Sequence, residues 1–203
     1  LGANTTADDN TAVGNSAAGS NTTGTMNIAV GHSALYANQT GSYNTVVGTY
    51  ALDAANPSGG SPASMMNVAI GAYAGSAATT GYENVFVGGQ CANAGTVTGF
   101  YNTCMGQTAA SNLSEGTNNV IIGKLSGYTL STASSNTYIG SSSAYSATTG
   151  GNNVAIGQSA AYYMTDGHNN VVIGNSAGVG SSSQRITTAG HCIIIGDTAY
   201  AGS

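Results

Sequence analysis

An Asn, three residues drawn from apolar types and Thr, and a Gly recur down the chain, with the closing glycine at Gly14, Gly31, Gly48, Gly71, Gly88, Gly106, Gly123, Gly140, Gly157 and Gly174. An eleventh copy closes at Gly196, where Cys192 replaces the Asn. Successive closing glycines stand 17 residues apart in seven of ten intervals, and the other three are 23, 18 and 22. Nothing else in the sequence restricts the fold as much, because a 17-residue unit is too short to bury a core and must borrow the apolar face of its neighbours. Short runs of Val, Ile and Thr bounded by Gly and Asn read as strands of four or five residues. One strand per period, then a turn and a return path, predicts an all-β solenoid or β-roll of eleven 17-residue coils. At ~4.8 Å per coil the rod is about 50 Å long.

The fixed positions have mechanical roles in such a coil. A small residue follows each closing glycine by three, as in Ala17, Ala34, Cys91 and Ser126. A second glycine usually follows by ten, as in Gly24, Gly41, Gly81, Gly116, Gly150 and Gly167. Glycines at corners supply positive φ or allow close backbone approach. Stacked Asn side chains form an amide ladder, each giving and accepting along the axis.

Within the strand, the first and third residues after Asn share one face, as Val68 and Ile70 or Val154 and Ile156 do. The middle residue points the other way, and that column, including Phe86, Cys104, Ile121, Tyr138 and Val172, is also apolar. A strand with one face in water alternates apolar with polar, so both faces are expected to be covered. One cover is the chain's own coil. The simplest second cover is another copy, which predicts a parallel homotrimeric rod, the alternative being a thicker monomeric solenoid.

The array runs over residues 1–203 without a domain boundary, interrupted by insertions near 53–66 and 178–190. The chain opens halfway through a coil and stops seven residues after Gly196 without a cap, so it is expected to be a segment of a longer fibre. Hydrophobic residues reach 41% in register, which favours an ordered array over a linker although only 4% are charged. With a net charge of −5 and only Lys124 and Arg185 as basic residues, nucleic acid is not an expected partner, nor an anionic membrane surface. No apolar run reaches the length of a membrane span, so no membrane insertion is expected.

Chemistry is sparse. His32, His168 and His191 occupy three different columns, and Asp166 with His168 at a corner lacks further ligands, so neither a metal nor a cofactor is expected. The seven acidic residues are scattered rather than paired as a glycosidase requires, and no GxSxG elbow is present, so the chain is not expected to be an enzyme. Cys91, Cys104 and Cys192 fall in different columns and read as buried small hydrophobes. Tyr128, Tyr145 and Tyr162 stand five residues after the closing glycine of three successive coils. They are expected to stack, either as a ladder that stabilises the rod or as an aromatic platform for sugar. The insertions place Asn56, Ser58, Ser61, Gln184 and Arg185 in exposed loops, where recognition of a partner is expected.

The stretch from Asn27 to Tyr36, Asn-Ile-Ala-Val-Gly-His-Ser-Ala-Leu-Tyr, followed by Gln39-Thr40-Gly41-Ser42-Tyr43-Asn44, resembles the 17-residue repeats of bacteriophage tail-fibre proteins and related bacterial proteins. The resemblance extends over nearly the whole chain. The heads of trimeric autotransporter adhesins are similar in the strand phrase alone, and their repeat is shorter. The fibre resemblance implies a homotrimer located in the virion, often upstream of a self-cleaving chaperone domain. It also implies a shaft that contributes to recognition of a host-surface glycan or protein receptor. The adhesin resemblance implies an extracellular or cell-surface location. An ice-binding solenoid and a polysaccharide depolymerase are two further, weaker readings. An ice-binding face needs a flat Thr-x-Thr column, whereas Thr here alternates with Val and Ile or clusters at turns as Thr22-Thr23, Thr79-Thr80 and Thr148-Thr149.

Overall fold

The computed structural model describes residues 1–57, 65–179 and 186–199. It is a β-solenoid with one short strand per coil: β1 (Thr11–Val13), β2 (Ile28–Val30), β3 (Thr45–Val47), β4 (Val68–Ile70), β5 (Val85–Val87), β6 (Thr103–Met105), β7 (Val120–Ile122), β8 (Thr137–Ile139), β9 (Val154–Ile156), β10 (Val171–Ile173) and β11 (Ile193–Ile195). Each strand is three residues long, shorter than the four or five expected, because the flanking Asn and Gly belong to the corners. The strands form one sheet in sequence order, all parallel. Register does not slip across the long intervals, since Thr45 faces Val68 and Val171 faces Ile193. The ladder is therefore continuous across both long intervals.

The middle residue of each strand points into the coil. Ala29, Val46, Ala69, Phe86, Cys104, Ile121, Tyr138, Ala155 and Val172 have no exposed surface. The turns after each strand close over this column, bringing Ala34, Ala51, Ala74 and Cys91 against it from three residues past the closing glycine. The inner face is thus covered by the chain's own return path and needs no second chain. The outer face, carrying the first and third strand residues, is left open: Ile28, Val47, Ile70 and Met105 are all exposed.

Corner geometry explains how so thin a coil closes. In each fully described coil, three positions adopt left-handed backbone: the second residue after the closing glycine (φ 53° at Ser33), the fourth (54° at Leu35) and the residue before the ladder Asn (57° at Met26). These are mostly not glycines. An L-residue in this region costs on the order of 1 kcal/mol. The cost is offset by the pairing of backbone amides between coils, with Ser33 N–H donating to Asn15 O at 2.9 Å and Leu35 N–H to Ala51 O at 3.0 Å. Closing glycines take a more extreme φ, 133° at Gly14, where a Cβ would stand 2.6 Å from the Gly31 carbonyl oxygen. The second glycines are kept for proximity instead, since a Cβ on Gly81 would stand 2.7 Å from Gly99 O.

The Asn ladder runs inside the wall. Asn119 Oδ1 accepts from both the backbone N–H (3.0 Å) and Nδ2 (3.1 Å) of Asn136, while Asn119 Nδ2 donates to Asn102 Oδ1 and Ala133 O, each at 2.9 Å. The backbone donation to the preceding Asn Oδ1 recurs down the column, as from Asn170 to Asn153 at 3.0 Å, and Cys192 keeps only that donation, to Asn170 Oδ1 at 3.0 Å. A second, shorter ladder, invisible in the strand phrase, joins Asn38 Nδ2 to Asn21 Oδ1 at 2.8 Å. In later coils Leu113, Leu130 and Met164 occupy that column and it becomes apolar.

Candidate functional site

The outer strand face is the principal unpaired surface, and it is three side chains wide. The residue before each ladder Asn takes left-handed backbone and is exposed, so Met26 and Met66 add a further exposed column beside the outward strand pairs Ile28 and Val30, and Val68 and Ile70. The strand phrase did not reveal this third column. In its first half it carries Asp9, Met26, Tyr43, Met66, Glu83 and Tyr101, of which Met26, Tyr43, Met66 and Tyr101 are exposed at 47–49%. In its second half it carries Asn118, Ser135, Asn152 and Asn169. Beyond the closing glycine, a fourth column of left-handed residues lines the opposite edge, with Tyr50, Tyr73, Gln90, Thr108 and Leu125 followed by Ser142, Ser159 and Ser176. The large exposed apolar side chains of this face are concentrated in the first half of the rod and at its last strand.

Tyr128, Tyr145 and Tyr162 do stack. Their ring centroids are 5.0 and 4.9 Å apart at 9° and 3°. Stacking hides the facing ring surfaces, so the ridge presents ring edges and hydroxyls. Tyr163 packs edge-on against Tyr162 at 4.8 Å. Desolvation, and then the neighbouring phenols of Tyr145 and Tyr163, push the Tyr162 hydroxyl above the ordinary tyrosine range. Other aromatic pairs lay outside the expectation: Tyr50 stacks on Tyr73 at 5.3 Å and Tyr82 on Phe100 at 4.8 Å.

Of the loop residues, Asn56 is half-buried and its N–H donates to Thr79 O at 2.9 Å, which ties it to the next coil. Ser58, Ser61, Gln184 and Arg185 lie outside the described residues. Asp166 accepts from the Thr148 and Thr149 hydroxyls at 2.6 and 2.8 Å, and these donors hold its carboxyl below the usual range. The Thr pair at this turn was legible in sequence; its acceptor one coil away was not. His168 and His191 meet edge-on at 6.3 Å, and no group of three potential metal ligands occurs among the described residues.

Cys91 and Cys104 come together inside the coil, both buried, with Cys91 Sγ donating to Cys104 O at 3.2 Å. Ser126 and Ser143, in the same column as Cys91, make the equivalent bond to the strand carbonyls of Tyr138 and Ala155. The Cys91 thiol, then burial, hold the Cys104 thiol well above its ordinary value, so it has little thiolate character. No helix among the described residues is long and apolar enough to cross a membrane. No protein-family model, curated protein or solved structure matches the chain.

Proposed function

We propose that the chain is a structural and adhesive module: a homotrimeric shaft segment of a bacteriophage-type tail fibre, carried in the virion, without catalytic activity. One observation supports this above the others. The solenoid fills its own interior, with Phe86, Ile121 and Tyr138 fully buried, yet leaves the outward, mostly apolar strand face only partly covered, with Val13, Ile28, Val47, Ile70, Met105, Ile193 and Ile195 exposed. A solitary soluble rod gains nothing from that face, and burying it against copies of itself removes an aggregation liability. The Tyr128, Tyr145 and Tyr162 ridge sits on the turns that follow the strands, and its hydroxyls are the surface assigned to host glycan contact.

Sedimentation equilibrium of the isolated chain tests the proposal. The expected mass is three times the 19.8 kDa of one chain, and a single-chain mass at micromolar concentration overturns it.

A further inference from the structure

His168 and His191 converge on the outside of the coils that lead into β10 and β11, and we propose that together they bind one transition-metal ion of the class that favours imidazole, Ni²⁺, Cu²⁺ or Zn²⁺. The site lies within a single chain and does not depend on the fibre reading.

Register brings the pair together. His168 stands two residues before the ladder residue Asn170, and His191 one residue before Cys192, so comparison column by column separates them. Across the coils, however, His168 forms a parallel bridge with Gly190, and the His191 N–H donates to His168 O at 3.1 Å. The two rings meet at a centroid distance of 6.3 Å, and both side chains are exposed. Of the three histidines in the chain, only His32 lies elsewhere, against the Tyr50 hydroxyl at 3.1 Å.

The rings are placed as ligands need to be. Two imidazoles bound to one ion at ~2.0–2.1 Å have ring centroids about 5–6 Å apart, depending on the angle at the metal. A small rotation of the exposed His191 ring closes the pair. His168 is already oriented, with Nδ1 3.4 Å from Asp166 O. A backbone carbonyl at Nδ1 is the outer contact that favours Nδ1–H as donor and leaves the Nε2 lone pair for a metal. That Nε2 lies over Gly190, where a Cβ would stand 3.3 Å from both Nε2 and Cδ2. The glycine keeps this edge of the ring clear, immediately beside His191.

The surroundings select the ion. Asp166 Oδ1 is engaged by the Thr148 and Thr149 hydroxyls at 2.6 and 2.8 Å, and no third His, Cys, Asp or Glu joins the pair among the described residues. Two imidazoles with water completing the shell suit Ni²⁺, Cu²⁺ and Zn²⁺, whereas Mg²⁺ and Ca²⁺ take oxygen ligands. A net charge of −5 favours any cation at this surface. The bound ion ties one coil to the next through side chains, beside the backbone bond of His191.

Calorimetric titration of the whole chain with Ni²⁺, beside Mg²⁺ as control, tests the proposal. One Ni²⁺ per chain is expected, and no binding of Mg²⁺. His168→Ala and His191→Ala are each expected to weaken Ni²⁺ binding about tenfold or more, and His32→Ala to leave it unchanged. Saturating Ni²⁺ is expected to slow hydrogen exchange at the His191 amide several-fold, a change that an ion adsorbed elsewhere does not produce. In a Cys192→Ser background, which removes the half-buried thiol next to His191, the Cu²⁺ paramagnetic resonance spectrum is expected to show two nitrogen ligands, and one in either histidine variant. Ni²⁺ binding that ignores both histidine substitutions, that departs from one ion per chain, or that is lost in Cys192→Ser with the histidines intact overturns the proposal.

Discussion

Gly75 sits against the ring of Phe86, where a Cβ would stand 2.5 Å from Cδ2. The same column holds Leu35 and Leu52 beside small strand residues and Gly127 beside Ile121 and Tyr138, so the interior trades volume between two stacked columns. Ala92 and Ala110 adopt the same left-handed backbone in that column, which shows that Ala tolerates the conformation and that Phe86 is the obstacle at position 75. Gly75→Ala is expected to cost about 1–3 kcal/mol by overpacking. Most of that cost is expected to vanish in a Phe86→Val background, and a double-mutant cycle in urea measures the coupling.

Asn119 satisfies four polar groups at once, and all of them are hidden from water. Asn119→Ala orphans the Asn136 N–H and the Ala133 carbonyl, and a loss of about 2–4 kcal/mol is expected. Asn119→Asp is expected to be worse, because a carboxylate cannot donate to Asn102 and its charge is buried. Hydrogen exchange at the Asn136 amide reads the local opening directly, with faster exchange expected in both variants.

Tyr138 is the reverse case. Its ring fills the core, yet its hydroxyl has no partner of acceptable geometry, although Asn153 lies near enough to influence the phenol. Burial dominates and drives its ionisation far above the ordinary range. Tyr138→Phe removes an unsatisfied group and keeps the ring, so stability is expected to rise by up to about 1 kcal/mol. A lower urea midpoint would show instead that Asn153 holds the hydroxyl.

Two carboxylates give opposite pH responses. The Asp166 carboxyl titrates below its unfolded value because Thr148 and Thr149 donate to it, so its contribution is present above the unfolded pKa of about 3.9 and is lost as pH falls through the folded value. Asp53 titrates above its unfolded value, chiefly through desolvation, and its charged form is disfavoured in the folded chain. Its contribution is full below the unfolded pKa and declines as pH rises through the folded one. Asp166→Asn is expected to flatten the acid limb of a urea-midpoint series, and Asp53→Asn to raise the midpoint at pH 7.

The period, the parallel strand and the Asn ladder were legible because each depends on residue types fixed at one spacing. The Tyr128, Tyr145 and Tyr162 stack was legible for the same reason. What the letters concealed was backbone sign. Leu35, Leu52, Met26 and Tyr50 have no preference for left-handed φ, and they adopt it because amides of adjacent coils require those corners. That choice turns Met26 and Met66 outward and widens the open face. The contact of Cys91 with Cys104 was hidden too, since it joins different columns of neighbouring coils. Which strand face is inner could not be assigned either, because both were apolar and only the direction of the corner turns decides it.

The edge column offers a final contrast of signs. Asn is the residue best suited to the backbone at positions 26, 43 and 66, so the triple change Met26→Asn, Tyr43→Asn and Met66→Asn relieves local strain and removes exposed apolar surface. The single chain, studied at a concentration low enough to dissociate any assembly, is expected to gain about 1–2 kcal/mol from the three relaxed corners. Assembly of the proposed trimer is expected to weaken by tenfold or more, since the same change removes the exposed Met26, Tyr43 and Met66 side chains. Urea titration of the dissociated chain and sedimentation of the concentrated one measure the two effects separately. Side chains whose role was purely internal would lower both, or leave assembly untouched.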